Sequence, residues 1–222
     1  MTRIQVAKKY LSQLDDLISI LKNTKFLTDN KVESAFRNIP RHEFVMPSEL
    51  DRAYYNEPLP IMKGQTISQP GVVPRMTEWL DIQNGQKILE IGTGSGWQTA
   101  ILSYLTGNGI VYSVEIHPEL VNFARENLKK LEIDNVHVIL DDGSVGYPKA
   151  SPYDRVIITA ACTEIPSPLF DQLGENGLII APVGDSSQSL VLLKKTSEGI
   201  IQIKNQSNYV FVSLLGKFGK KG

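Results

Sequence analysis

Ten residues near the middle of the chain, Ile88-Leu89-Glu90-Ile91-Gly92-Thr93-Gly94-Ser95-Gly96-Trp97, run from an apolar strand into alternating glycines and then into a helix-like stretch. Glycines at 92, 94 and 96 allow positive φ and let a ligand reach bare backbone amides. The helix predicted over 97–105 points its partly positive N-terminus at whatever sits there. The segment therefore reads as a nucleotide-binding turn joining a strand to a helix.

The spacing narrows the ligand. A dinucleotide fingerprint is G-x-G-x-x-G, whose last glycine lets the helix pack on the strand, but position 97 is tryptophan, which weighs against NAD. G-x-G-x-G after a strand suits the amino-acid end of S-adenosylmethionine, which has no pyrophosphate to cradle. A glycine turn alone is a weak signal, and two further strand ends add to it. Glu115 closes the run Tyr112-Ser113-Val114-Glu115, about 20 residues on, where a carboxylate can accept from both ribose hydroxyls. Val136-His137-Val138-Ile139-Leu140 ends in Asp141-Asp142-Gly143, where a carboxylate can accept from an adenine amino group. Either acid alone reads as a helix cap or a solvated turn residue. The convergence of three strand ends carries the argument.

Around this turn the pattern predicts strand 88–91, helix 97–105, strand 110–115, helix 118–131, strand 136–140, strand 154–159, helix 166–173 and strand 177–183. That alternation is a doubly wound parallel sheet. Later strands at 190–194, 200–203 and 210–215, with no helices between them, predict an antiparallel C-terminal edge. Val6, Tyr10, Leu14, Leu17, Ile18 and Leu21 recur at helical spacing, as do Val32, Ala35, Phe36 and Ile39 behind Thr28-Asp29-Asn30. Residues 40–74 read as a long irregular segment, which in a compact protein is usually functional. The 222 residues fit one α/β unit over 75–222, preceded by a helical and loop extension over 1–74 that carries part of the site.

Composition excludes several classes. A net charge of −1 provides no overall field toward nucleic acid or an anionic membrane. Lys217, Lys220 and Lys221 read as a solvated basic end. No apolar run approaches the about 20 residues that span a bilayer, and Met1-Thr2-Arg3-Ile4-Gln5 lacks a signal-peptide core, so a cytoplasmic location is expected. The single Cys162 excludes an internal disulfide and reads as a small packing residue. His117 and His137 have no partners at ligand spacing, so no metal site is expected. His42 reads as structural.

Specific segments then resemble one family, the protein-L-isoaspartate O-methyltransferases, from Val32 to about Gly216. Pro40-Arg41-His42-Glu43-Phe44-Val45, Pro58-Leu59-Pro60-Ile61, Gly64-Gln65-Thr66-Ile67-Ser68-Gln69-Pro70 and the glycine turn occur in the family's order. Asp142-Gly143, Pro152-Tyr153-Asp154-Arg155-Val156-Ile157, Thr159-Ala160-Ala161, Ile165-Pro166 and Pro182-Val183-Gly184 continue it. The resemblance implies a class I S-adenosylmethionine-dependent methyltransferase fold, Rossmann-like and doubly wound. It also implies methyl esterification of the free α-carboxylate of isoaspartyl residues in damaged proteins and peptides. By the same resemblance Ser68 is the active-site serine, with Thr66 and Ile67 beside it. Gly92, Gly94 and Ser95 hold the methionine end, Glu115 the ribose, and Asp142 with Gly143 the adenine. Thr66, Val212 and Ser213 hold the substrate peptide. A monomer without nucleic-acid or membrane partners is expected.

The chain departs from the family at Gly71-Val72-Val73-Pro74, where most members have Tyr-Met-Val-Ala, and at Val210 and Ser213, which replace an arginine and a proline. Read from the sequence, these changes leave open a related methyltransferase acting on another peptide carboxylate. A non-catalytic S-adenosylmethionine-binding module is the third reading, and the intact Ser68 weighs against it.

Overall fold

The computed structural model describes residues 3–220, with side chains from Lys9 onward. The start at Met1, the side chain of Val6 and the terminal Lys221 lie outside the described residues. Helix α1 (Arg3–Asn23) buries Leu14, Leu17, Ile18 and Leu21, which share a face because their spacing is three or four residues. It stops where Lys25 takes φ 59°. Helix α2 (Asn30–Asn38) begins at Asp29, whose side chain accepts from Lys31 N, and buries Val32, Ala35 and Phe36.

The irregular segment then condenses into short 3₁₀ turns at Arg41–Glu43 and Pro47–Arg52 and a minimal hairpin. Its strands are β1 (Leu59–Pro60) and β2 (Thr66–Ile67). Helix α3 (Val72–Leu80) follows, with Pro74 in its first turn, where a missing amide donor goes unnoticed.

The main sheet is built from β3 (Lys87–Ile91), β4 (Ile110–Glu115), β5 (Val136–Leu140), β6 (Tyr153–Ile158), β7 (Leu173–Gly184), β8 (Gln188–Thr196) and β9 (Gly199–Tyr209). Helices α4 (Trp97–Thr106), α5 (Pro118–Lys130) and α6 (Ser167–Gln172) make the β3–β4, β4–β5 and β6–β7 connections, and two 3₁₀ turns join β5 to β6. The spatial order is β5-β4-β3-β6-β7-β8-β9. Pairing is parallel from β5 to β7 and antiparallel from β7 to β9. The order reverses beside β3, so the glycine turn opens at the topological switch point, outside the carboxyl ends of the strands. Alternation along β3 sends Leu89 and Ile91 into a core shared with Leu169 of α6, and Ile88 into one shared with Leu80 of α3 and Leu102 of α4. A strand covered on both faces must be apolar almost throughout.

One expected strand does not join the sheet. Beyond Tyr209, which pairs with Gln188, β8 has no residues left to continue the ladder. The chain turns away through Asn208 at φ 75°, and Phe211 N donates to the Gln188 side chain at 2.8 Å. Residues 210–215 run instead beside Ala161, whose amide donates to Val212 O and whose carbonyl accepts from Leu214 N, both at 2.7 Å. Nor is the basic end simply solvated. The side chains of Lys217 and Lys220 are exposed, but Lys217 N donates to Asp142 Oδ2 at 2.7 Å and Phe218 N to Ser144 Oγ at 3.0 Å.

The N-terminal helices share a core with the sheet's own helices, since Leu17, Leu21, Val32 and Phe36 cluster with Trp97, Ala100 and Ile101 of α4 and Leu120 of α5. Phe36 meets the Trp97 ring edge-on at 5.3 Å. On that shared core we propose that 1–74 and 75–222 unfold as one cooperative unit. Phe36→Ala is expected to destabilise the protein by about 3–5 kcal/mol in a single calorimetric transition. Two separated transitions would make the extension an independent domain.

Candidate active site

A cleft of about 780 Å³ opens at the carboxyl ends of β3, β4 and β6. One wall is the hairpin segment Gln65–Ser68, the floor is the turn 91–95, and the far side is 114–117 with Gly143. Thr159, Ala160 and residues 212–215 close it.

The floor is backbone because nothing else fits. Gly92, Gly94 and Gly96 have φ 94°, 55° and 88°, a region that favours glycine over residues with a Cβ. A Cβ on Gly92 would collide with Thr159 Oγ1, and one on Gly96 would stand 3.3 Å from the Ala124 methyl. Thr159 Oγ1 is shared between two acceptors, Ile91 O at 3.0 Å and Gly92 O at 2.7 Å. It clamps the strand end beneath the turn.

Glu115 is 6% exposed and holds the turn from the other side. Its Oε2 accepts from Gly94 N and its Oε1 from His117 N, each at 3.0 Å. A carboxylate offers about four acceptor sites, so two remain for a ligand.

Asp142 differs. It does not line the cleft, whereas its neighbour Gly143 does. Its Oδ1 accepts from Ser144 N at 2.9 Å and Ser144 Oγ at 2.7 Å, and its Oδ2 from Lys217 N. These donors hold its carboxyl below the usual range, against the opposing effect of burial. Asp142 is thus both the cap of a 3₁₀ turn and the anchor of the C-terminal segment, with one acceptor site left.

Ser68 lines the cleft, half-buried. It is not the cap of α3, whose N-cap is Gly71 with no side-chain bond. Thr66, Ile67, Gly92, Gly94, Ser95, Val212 and Ser213 line the same space. Of the departures from the family pattern, only Ser213 does so. Gly71 leaves no opening, because Asn56 Oδ1 accepts from its amide at 2.8 Å and a Cβ there would stand 3.0 Å from that oxygen. Val210 is 82% exposed, away from the cleft. Cys162 is buried, and its thiol is pushed up to about 11 by burial, in keeping with a packing role. His42 stacks on Tyr10 at 4.1 Å and bonds Tyr54 Oη through Nδ1 at 2.7 Å.

Sequence reasoning missed a polar network beneath the turn. Glu90, fully buried on β3, accepts at Oε2 from Thr99 Oγ1 at 2.5 Å and Ser113 Oγ at 2.6 Å, and Ser113 Oγ in turn meets Thr93 Oγ1 at 2.6 Å. Burial, aided by the nearby Glu115 charge, pushes the Glu90 carboxyl up to about 8 against the two hydroxyl bonds. The signal was one acid inside an otherwise apolar strand. It passed unread because Glu90 faces α4 and not the ligand side.

Comparison with known proteins points to one family. The model of the protein-L-isoaspartate(D-aspartate) O-methyltransferase family matches residues 12–219. A protein-L-isoaspartate O-methyltransferase of Pyrococcus horikoshii is 46% identical over 204 residues, covering 91% of this chain and 92% of that one. A solved protein-L-isoaspartate O-methyltransferase superposes with a TM-score of 0.84 at 31% identity, over 93% of this chain and 67% of its own. A Plasmodium falciparum protein, described as a beta-aspartate methyltransferase and solved with S-adenosyl-L-homocysteine, gives 0.80 at 26% identity over 93% and 98%.

The buried acid has a measurable signature. Glu90 is held above its ordinary 4.5, so the folded state keeps a proton that the unfolded chain releases. The stability it contributes is complete below about pH 4.5 and is lost as pH rises toward 8. Glu90→Gln mimics the protonated form, and its melting temperature relative to wild type is expected to rise across that window. A constant difference would mean that Glu90 is ionised in the folded protein.

Proposed function

This chain belongs to the protein-L-isoaspartate O-methyltransferase family, and we propose that the cleft between the hairpin and the glycine turn carries out the family's reaction through the residues named here. The protein is an enzyme that methyl-esterifies L-isoaspartyl residues in proteins with S-adenosylmethionine as donor. The observation that carries the assignment of the site is the meeting in one cavity of Ser68, the bare amides of 92–95 and the half-satisfied carboxylate of Glu115.

These residues fit the donor. Two acceptor sites on Glu115 match two ribose hydroxyls. Gly92 and Gly94 leave room for the methionine end, and Ser95 stands beside them. Gly143 offers a wall without a side chain to the adenine, and Asp142, outside that lining, holds the wall in place through Ser144 and Lys217. Bound there, S-adenosylmethionine supplies an electrophilic methyl group. The chain's own task is orientation, because a carboxylate is already ionised and nucleophilic at neutral pH and needs no general base. Ser68 donates to the substrate carboxylate and fixes its direction, while Thr66, Val212 and Ser213 hold the flanking peptide. Such positioning can contribute about 7–11 kcal/mol. We take the protein to act as a cytoplasmic monomer without nucleic-acid or membrane partners, since a net charge of −1 offers no overall field toward either kind of partner. Among the described residues no helix is long and apolar enough to cross a membrane.

With an isoaspartyl peptide and radiolabelled donor, methyl transfer is expected, and none with the normal aspartyl counterpart. Ser68→Ala should depress turnover while cofactor affinity and melting temperature stay near wild type. Full turnover would remove Ser68 from the chemistry. Glu115→Ala should weaken donor binding in calorimetry by about 1.5–3 kcal/mol for each charge-assisted bond lost. Unchanged affinity in the folded variant would place the ribose elsewhere.

A further inference from the structure

Among the described residues Arg41 is the largest fully buried side chain, 1% exposed, outside the cleft lining. Its hydrogen-bond partners are three carbonyl oxygens and no carboxylate. Nη1 donates to Ala53 O at 2.6 Å, and Nη2 donates to both Glu57 O and Ser68 O at 3.0 Å. The nearest acid by sequence among these partners, Glu57, directs its own carboxylate to Arg52 at 2.8 Å. The Arg41 guanidinium lies 5.2 Å over the Trp97 ring, and Trp97 Nε1 donates back to Ile39 O at 3.3 Å. A buried cation that meets no carboxylate directly gives up its hydration, and a methionine or leucine in its place would leave three carbonyls without their donor. Its use must lie in what the planar fork connects.

It connects the acceptor loop to the cofactor helix. Residues 53–71 have little regular structure to satisfy their carbonyls, and upstream of Ser68 the chain is held by the β1–β2 pairing at Leu59↔Ile67 and Pro60↔Thr66. At Ser68 itself the carbonyl is held by Arg41, whose guanidinium is stacked on Trp97, the first residue of α4 and the direct continuation of the glycine turn. We propose that Arg41 is a positioning residue for methyl transfer, pinning the Ser68 peptide to the start of α4 so that the serine hydroxyl keeps a fixed place relative to the cofactor turn. This inference rests on the orienting role assigned to Ser68. Burial also pulls the Arg41 guanidinium down to about 9, in keeping with partners that are neutral.

A lysine keeps the charge and most of the volume but is a single point, unable to serve three carbonyls in a fixed fork. The test compares the full-length wild type, R41K, S68A and the double variant R41K/S68A. The readouts are kcat and KM for an isoaspartyl peptide, affinity for S-adenosylhomocysteine, and thermal melts. R41K is expected to lower kcat by up to about a hundredfold, with homocysteine-product affinity near wild type, and R41K/S68A should be no slower than S68A alone. Should R41K fold poorly, R41A assayed with added N-ethylguanidinium replaces it. Recovery of kcat that requires Ser68 supports the pin, and recovery of melting temperature without kcat overturns it. Additive losses in the double variant, unchanged kcat in R41K, or loss of product affinity in parallel with kcat would likewise overturn the proposal. Unchanged kcat in S68A would instead overturn the reading of Ser68.

Discussion

The end of β3 lacks three side chains, and three other parts of the molecule occupy the space. Thr159 from the end of β6 stands against Gly92, Ile61 of the hairpin comes within 3.6 Å of where a Cβ on Gly94 would lie, and Ala124 of α5 packs against Gly96. The cleft's walls are therefore set by contact with bare backbone. A methyl group at position 92 would displace the Thr159 clamp, and any residue there would also resist the positive φ that turns the chain from strand to helix.

Polar groups hidden from water complete the arrangement. Glu90 with Thr99 and Ser113 lies beneath the turn, and Arg41 lies behind the acceptor loop. Each gives up solvation, and each satisfies buried partners that a hydrocarbon side chain would leave unpaired. What they supply is direction. Hydrogen bonds fix a peptide plane or a hydroxyl in a way that apolar contacts do not, and a methyl-transfer site depends on direction more than on acid–base strength. Glu115 shows the principle at the surface of the cleft. Half of its acceptor capacity shapes the turn, and the other half faces the space for a ligand.

Much of this was legible in the chain. The alternation of apolar runs and helical spacing between 88 and 183 maps onto β3 to β7 within a few residues, because the central strands β3 and β6 are covered on both faces and α5 on one. Glu115 and the turn glycines stand out because strand-end chemistry is local and their spacing is characteristic, whereas Ser68 stands out only by the resemblance of its segment to the family. Residues 210–215 were misread as a sheet strand because their β-prone composition is that of a strand. The partner they chose was Ala161, and β8 had no residues left to pair with them. The consequence of Gly71 was likewise hidden, since only the fold brings Asn56, fifteen residues upstream, into the place of the missing side chain.

By itself, then, the sequence determined the doubly wound sheet, its antiparallel edge and the nucleotide-type turn, which follow from periodicity and short spacings that operate along the chain, and its ordered motifs resemble the family to which the chain belongs. The tertiary structure decided which groups are spent and which are free. It tied Asp142 to the C-terminal segment, left two acceptor sites on Glu115, buried the Glu90 carboxyl and so raised it above its ordinary range, and set Arg41 beneath Ser68. The physical reason is that a side chain's remaining hydrogen-bonding capacity and its solvation depend on neighbours distant in sequence, which no local pattern encodes.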